Sequence, residues 1–205
     1  MGRMLEVETP HGRANVHLHP ADEPRAVLVL GHGAAGGVAS PDLTAAADAA
    51  RSEAVSVALV EQPYRVAGRR SPAPAHQLDT AWMVVVDQLR AEDLRGLPLI
   101  VGGRSAGARV ACRTASSAGA VGVVCLAFPL QPPPRRSGTE SPSRLPELDA
   151  VTVPVLVVQG ERDRFGIPPA TALRTVVQVA GDHSLRTDLD SIAGAVRDWL
   201  VEVLD

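Results

Sequence analysis

Gly103-Arg104-Ser105-Ala106-Gly107 follows the apolar run Leu97-Pro98-Leu99-Ile100-Val101 and precedes an alanine-rich, helix-favouring segment from Ala106 to Ala118. An apolar strand, a Gly-x-Ser-x-Gly turn and a helix in succession form the context of a nucleophile elbow. The turn is so tight that only small residues fit two positions either side of the serine, and Gly103 and Gly107 supply them. It lifts the Ser105 hydroxyl clear of the sheet edge. There, backbone N–H groups and the dipole of the following helix favour developing negative charge. In a chain with 18 glycines the pattern has little weight by itself, so the flanking elements decide.

Those elements alternate. Ala26-Val27-Leu28-Val29-Leu30 is a continuous apolar run of the kind a strand buried on both faces requires. Val55 to Val60, Val121 to Ala127, Val153 to Val158 and Thr175 to Val179 read as further strands. Between them, Leu43, Ala46, Ala47 and Ala50 recur at helical spacing after a capping Ser40-Pro41. Leu78, Trp82, Val85, Val86 and Leu89 form a second stripe, which makes Trp82 a core residue. Ile192, Val196, Trp199, Leu200 and Val203 form a third. Leu5 to Thr9 and Ala14 to His19, joined by Pro10-His11-Gly12-Arg13, predict an opening antiparallel hairpin. A short helix is expected from Pro168-Pro169, and a loop of about fifteen residues after Glu61 is long enough to line a site. Phe128 to Leu148, centred on Pro132-Pro133-Pro134-Arg135-Arg136, reads as a surface excursion. The expected fold is α/β, a doubly wound, mostly parallel sheet with helices on both faces, in one domain spanning 1–205 with no separate lid domain. Right-handed crossovers bring the loops that follow the strands to one edge.

Composition excludes several functions. Net charge is -3 and the five aromatic residues are scattered, which gives neither a basic footprint nor stacking platforms, so no nucleic-acid partner is expected. All 20 basic residues are arginine, which removes a P-loop lysine, a Schiff-base lysine and a Ser-Lys dyad together. Gly31-His32-Gly33-Ala34-Ala35-Gly36-Gly37 carries glycines at the dinucleotide-binding spacing, Gly31, Gly33 and Gly36, and Glu61 closes the next strand; a dinucleotide fold is the lesser alternative beside the nucleophile elbow. Cys112 and Cys125 lie in apolar elements and read as small buried hydrophobes. His17 and His19 share one side of a strand, but no third metal ligand accompanies them, so solvent-facing histidines are expected and no metal or cofactor. The chain begins without an apolar leader and has no run near the roughly 18 apolar residues of a membrane span, so a soluble cytoplasmic protein is expected.

The chemistry lies where three strands end. Ser105, Asp163 and His183 each follow a predicted strand, in the chain order nucleophile, acid, histidine. His183 would take the Ser105 proton as general base, and Asp163 would hold the imidazole in the right tautomer. Glu161 and Asp182 are the competing acids. Ala106, just after the serine, and Ala34, in the glycine-rich loop, are candidate N–H donors to an oxyanion. His32 reads as a loop-shaping residue whose ring bonds backbone, and His11 and His76 as solvated. Arg104, with Tyr64 and Arg65, is a candidate for binding an anionic substrate group; the competing expectation pairs Arg104 with Glu61 or another acid to brace the elbow.

Order, elbow and His-Gly loop together resemble the α/β-hydrolase superfamily over nearly the whole chain. Gly102-Gly103-Arg104-Ser105-Ala106-Gly107, Phe128-Pro129-Leu130, Gln159-Gly160-Glu161-Arg162-Asp163 and Gly181-Asp182-His183 look like its small, lidless branch near dienelactone hydrolase. They look closer still to hydrolases related to a testis-expressed protein and to a chromatin acetyltransferase subunit. The resemblance implies an esterase-like serine nucleophile acting on a small ester or thioester. Dienelactone hydrolases carry a cysteine nucleophile where this chain has Ser105, so lactone specificity is not implied. The alternatives are a silent binding or scaffold protein on the same fold, and acyl transfer or perhydrolysis on the same residues.

Overall fold

The structure is a computed structural model that describes residues 2–134 and 138–205; Arg135 and Arg136, at the centre of the proline-rich run, lie outside the described residues. Along the chain come strands β1 (Arg3–Thr9), β2 (Gly12–His19) and β3 (Ala26–Gly31), helix α1 (Pro41–Ser52), β4 (Val55–Glu61), the single turn α2 (Pro63–Val66) and α3 (Ala75–Ala91). Then follow β5 (Leu99–Arg104), α4 (Ala106–Ala118), β6 (Gly122–Leu126), the short α5 (Leu145–Asp149), β7 (Val155–Gly160), β8 (Arg174–Val179) and α6 (Leu189–Leu204). One sheet takes all eight strands in the order β1-β2-β4-β3-β5-β6-β7-β8. β1 and β2 form the expected antiparallel hairpin, β2 also runs antiparallel to β4, and every other pairing is parallel.

The uninterrupted apolar strands are explained by two cores. Val27, Val29, Val101, Val123, Val155 and Val157 point to the side covered by α3 and α4, where Trp82, Val85 and Ala111 meet them. Their chain neighbours Leu28, Leu30, Ile100, Val124, Leu126 and Leu156 point to the other side, against Leu43, Ala46, Ile192 and Trp199 of α1 and α6. With side chains alternating across a sheet covered on both faces, each position of a central strand is a core position. Cys112 and Cys125 are buried and free, their Sγ atoms 3.5 Å apart between α4 and β6.

Three local expectations are corrected. Pro168-Pro169 starts no helix; neither proline offers an N–H, and the residue before a proline is driven from the helical region, so the chain stays irregular until a turn at Thr171 to Arg174. The stretch after Glu61 contains α2, which Pro63 opens at its first helical position. The excursion from Phe128 contains α5, held by Glu147 to Arg109 of α4 at 2.5 and 2.8 Å. Its neck is closed by backbone bonds from Arg144 N–H to Leu130 O (2.8 Å) and Gln131 N–H to Phe165 O (2.8 Å).

The order of the sheet positions the site. After β3 the chain steps outward to β4 and returns past β3 to make β5, so the carboxyl ends of β3 and β5 border a crevice at the switch point. The start of α4 fits there only without side chains: a Cβ on Gly107 would lie 2.3 Å from Gly31 O, and one on Gly103 2.4 Å from the same oxygen. Gly107→Ala is therefore expected to cost about 3 kcal/mol in urea denaturation. Gly37→Ala, with nothing within 4 Å of its added methyl, serves as the neutral control.

Candidate active site

Ser105 sits between β5 and α4 with φ 50° and ψ -103°, a conformation that non-glycine residues seldom adopt. Its backbone N–H donates to Leu126 O of β6 (2.9 Å), which helps hold the turn in that shape. The loop after β8 brings His183 over it. A Cβ on Gly160 would lie 2.5 Å from Asp182 O, so that loop passes directly over the end of β7. His183 Nε2 lies 3.0 Å from Ser105 Oγ, and His183 Nδ1 lies 2.8 Å from Asp163 Oδ2.

Asp163 is buried and accepts two further hydrogen bonds, from Gln159 Nε2 to Oδ2 (2.7 Å) and from Phe165 N–H to Oδ1 (2.9 Å). A carboxylate that only accepts directs the ring to present Nδ1–H to it, which leaves Nε2 as the lone pair facing the serine. The competing acids are elsewhere occupied. Asp182 is exposed and accepts from Ser184 N–H (2.8 Å) and Oγ (2.6 Å); Glu161 is exposed at the end of β7. The Phe165 ring stands edge-on to His183 with centroids 4.4 Å apart.

The peptide that carries the candidate donor Ala34 N–H is oriented by His32. Its Nδ1 bonds Gly33 O at 2.8 Å, and its Nε2 accepts from Gln62 N–H at 3.1 Å. Those partners require a neutral ring with its proton on Nδ1, and burial pushes the His32 pKa below its usual 6.5 in the same direction. Gly36 N–H also donates to Gly33 O (3.2 Å). Gly33 O belongs to the planar peptide that carries the Ala34 N–H on its opposite side, so anchoring the oxygen aims the N–H the other way. Ala106 opens α4, so its N–H has no intrahelical acceptor.

The three substrate-binding candidates are turned to other uses. Arg104 pairs with Asp42 rather than Glu61, its Nε 2.9 Å from Oδ2, and its Nη2 donates to His183 O (2.9 Å). Asp42 is fully buried at the start of α1, and a buried carboxylate needs a counter-charge, so the guanidinium is drawn inward as a brace. The Tyr64 hydroxyl donates to Ala34 O (2.8 Å), and burial raises its pKa to about 12, which keeps it a donor. Arg65 reaches Arg69 O (3.4 Å) in its own loop. A cavity of about 380 Å³ beside Tyr64 is lined by Gln62, Arg69, Gln77 and Leu78 but does not include Ser105. His17 and His19 are half-buried, and no group of three or more possible metal ligands occurs among the described residues.

Asp42, Gln159 and Phe165 are the residues that sequence reasoning missed. Gln159 carried a signal: it ends the run Val155-Leu156-Val157-Val158 in a strand covered on both faces, where an amide has to find partners. Asp42, in the first turn of a helix, looks like any N-terminal acid.

The fold and the elbow define an α/β hydrolase, and comparison with known proteins agrees. A family model described as "Alpha/beta hydrolase domain" matches residues 24–195, and the chain belongs to that family. No curated protein sequence matches it significantly. Solved structures are similar over nearly their whole length. An α/β serine hydrolase without a lid from Xanthomonas campestris shares 18% identity, covers 98% of this chain and 94% of its own, and has a TM-score of 0.76. Est1E from Butyrivibrio proteoclasticus shares 15% over 100% and 99% of the two chains, TM-score 0.77. Dienelactone hydrolase from Anabaena variabilis shares 15% over 98% and 97%, TM-score 0.78. Among the described residues no helix is long and apolar enough to cross a membrane.

Two expectations follow from this geometry. Arg104→Ala leaves Asp42 buried without its partner and is expected to cost about 3 kcal/mol in urea denaturation, with Arg104→Met/Asp42→Leu recovering most of it. His32 must remain neutral when folded, so its contribution is fully present above pH 6.5 and is lost as pH falls below that value. Stability measured at pH 7.5 and pH 5 is expected to fall further in wild type than in His32→Gln.

Proposed function

We propose that the protein is a serine hydrolase, of carboxylesterase or thioesterase type, that cleaves a small ester or thioester through an acyl-enzyme. The observation that carries this reading is the unbroken series Ser105 Oγ, His183, Asp163, at 3.0 and 2.8 Å, on the strand edge where the fold presents its loops. Ser105 attacks the acyl carbon while His183 Nε2 takes its proton; His183 then returns that proton to the departing alcohol or thiol. A water activated by the same nitrogen releases the acid. Asp163 keeps the imidazole in its Nδ1–H tautomer and stabilises the imidazolium. The Ala34 and Ala106 N–H groups receive the oxyanion, each worth about 3 kcal/mol of barrier.

The whole of 1–205 is read as one α/β-hydrolase domain, without a lid. The arginines beside the elbow are committed to the protein, so recognition falls to the acyl and leaving groups rather than to a charged tail. No cofactor takes part in this reading.

Incubation with a fluorophosphonate, read by intact mass, is expected to give one adduct on wild type and none on Ser105→Ala or His183→Ala. On a short-chain ester panel, Ser105→Ala should lower kcat at least a thousandfold. Well-folded wild type that forms no adduct would refute the reading and leave a protein that has kept the fold for binding.

A further inference from the structure

The fourth group in the series is Gln159. It lies at the end of β7, fully buried, and its Nε2 lies 2.7 Å from Asp163 Oδ2, 3.0 Å from Phe128 O and 3.0 Å from Gly166 O. All three are acceptors, so the amide can face them only through its NH2 end. Its Oε1 is buried and has no hydrogen-bond partner among the described residues. An unpaired buried carbonyl is costly, and an apolar side chain in that place would avoid it. The position is therefore occupied by a residue whose donor end is needed.

We propose that Gln159 is a positioning residue of the site, holding Asp163 Oδ2 in line with His183 Nδ1. This rests on the catalytic reading of Ser105, His183 and Asp163. Among the described residues only two side chains, His183 and Gln159, donate to the carboxylate, and both reach the same oxygen; Oδ1 takes the backbone N–H of Phe165. By donating to Oδ2, Gln159 withdraws charge from it and makes it less basic, so the proton shared with the ring stays on Nδ1. The links to Phe128 O and Gly166 O tie the same amide to the start of the proline-rich loop and to the end of the turn carrying Asp163.

The other charges around the ring are accounted for. Arg104, bonded to the His183 carbonyl, is neutralised by Asp42. Asp182 is turned to Ser184, and Arg162 and Arg164 are exposed, Arg164 lying 4.9 Å over the Phe165 ring. Gln159 is thus an uncharged side chain in direct contact with the acid, and changing it changes the field on the imidazole.

The full-length Gln159→Glu and Gln159→Met variants test this, with the His183 ring titration followed by NMR and assigned by comparison with His183→Ala. Glutamate keeps the shape; once ionised it adds a negative charge beside Asp163, and the His183 midpoint is expected to rise by about one pH unit. Methionine removes the donor without adding charge and should raise it by less. The acid limb of the fluorophosphonate reaction should move up with it, so that labelling of both variants at acid pH is slower than that of wild type. A merely structural glutamine would lower the unfolding midpoint of Gln159→Met and leave its His183 titration where it is in wild type, and that result overturns the proposal. If Gln159→Met does not fold, Gln159→Leu, which also removes the donor without adding charge, takes its place. A wild type that never labels refutes the acyl-enzyme reading, while the His183 titration still decides the role of Gln159.

Discussion

A Cβ on Gly107 would sit 2.3 Å from the carbonyl oxygen of Gly31, so α4 can begin where it does only because Gly107 has no side chain. That close approach sets the height of the elbow. It places Ser105 at the carboxyl end of β5, between the loop that carries Ala34 and the end of β6, whose Leu126 carbonyl receives the serine N–H. The strained φ of Ser105 persists because the surrounding contacts over-determine it. The loop carrying Ala34, the loop carrying His183 and the turn carrying Asp163 then assemble around a fixed point.

Charge in this molecule is handled by arginine, and the guanidinium fork explains how. Arg113 grips both oxygens of Asp79 at 2.6 and 2.8 Å, Arg109 grips both oxygens of Glu147, and Arg174, buried at the sheet edge, spans Asp149 and Pro169 O. Each of these contacts joins two elements rather than neighbours on one helix. A planar, multiply donating cation can do this partly out of water, where an ammonium would satisfy one acceptor at a time. Arg104 belongs to this set. Its place beside the nucleophile looked like a recognition site in one dimension, but the buried Asp42 on α1 decides where it points.

The sheet was legible because both its faces are covered, which turns strands into unbroken apolar runs such as Ala26 to Leu30. The Gly-x-Ser-x-Gly turn and the polar residues that end the later strands marked where Ser105, Asp163 and His183 stand, and the distances bring those three into one series. Partners distant in sequence were not legible. Nothing in the local pattern links Asp42 to Arg104, Tyr64 to Ala34, or Gln159 to Phe128, because those contacts depend on how far each loop travels beyond the sheet. The helix expected at Pro168 failed for a local reason: proline suits a helix start, but two in succession remove consecutive donors and constrain the residue before each.

The neck that closes the excursion between β6 and β7 bears on how a chain of this fold can change. Because Arg144 returns to Leu130 and Gln131 is fastened to Phe165, the excursion leaves and rejoins the body at nearly one point. The free energy of closing a loop grows only with the logarithm of its length, so residues added beyond that neck cost little and do not disturb the anchors. The fold thus has a port beside the strand edge that carries Ser105 through which a larger cap can be acquired, while the hydrogen bonds beneath it stay as they are.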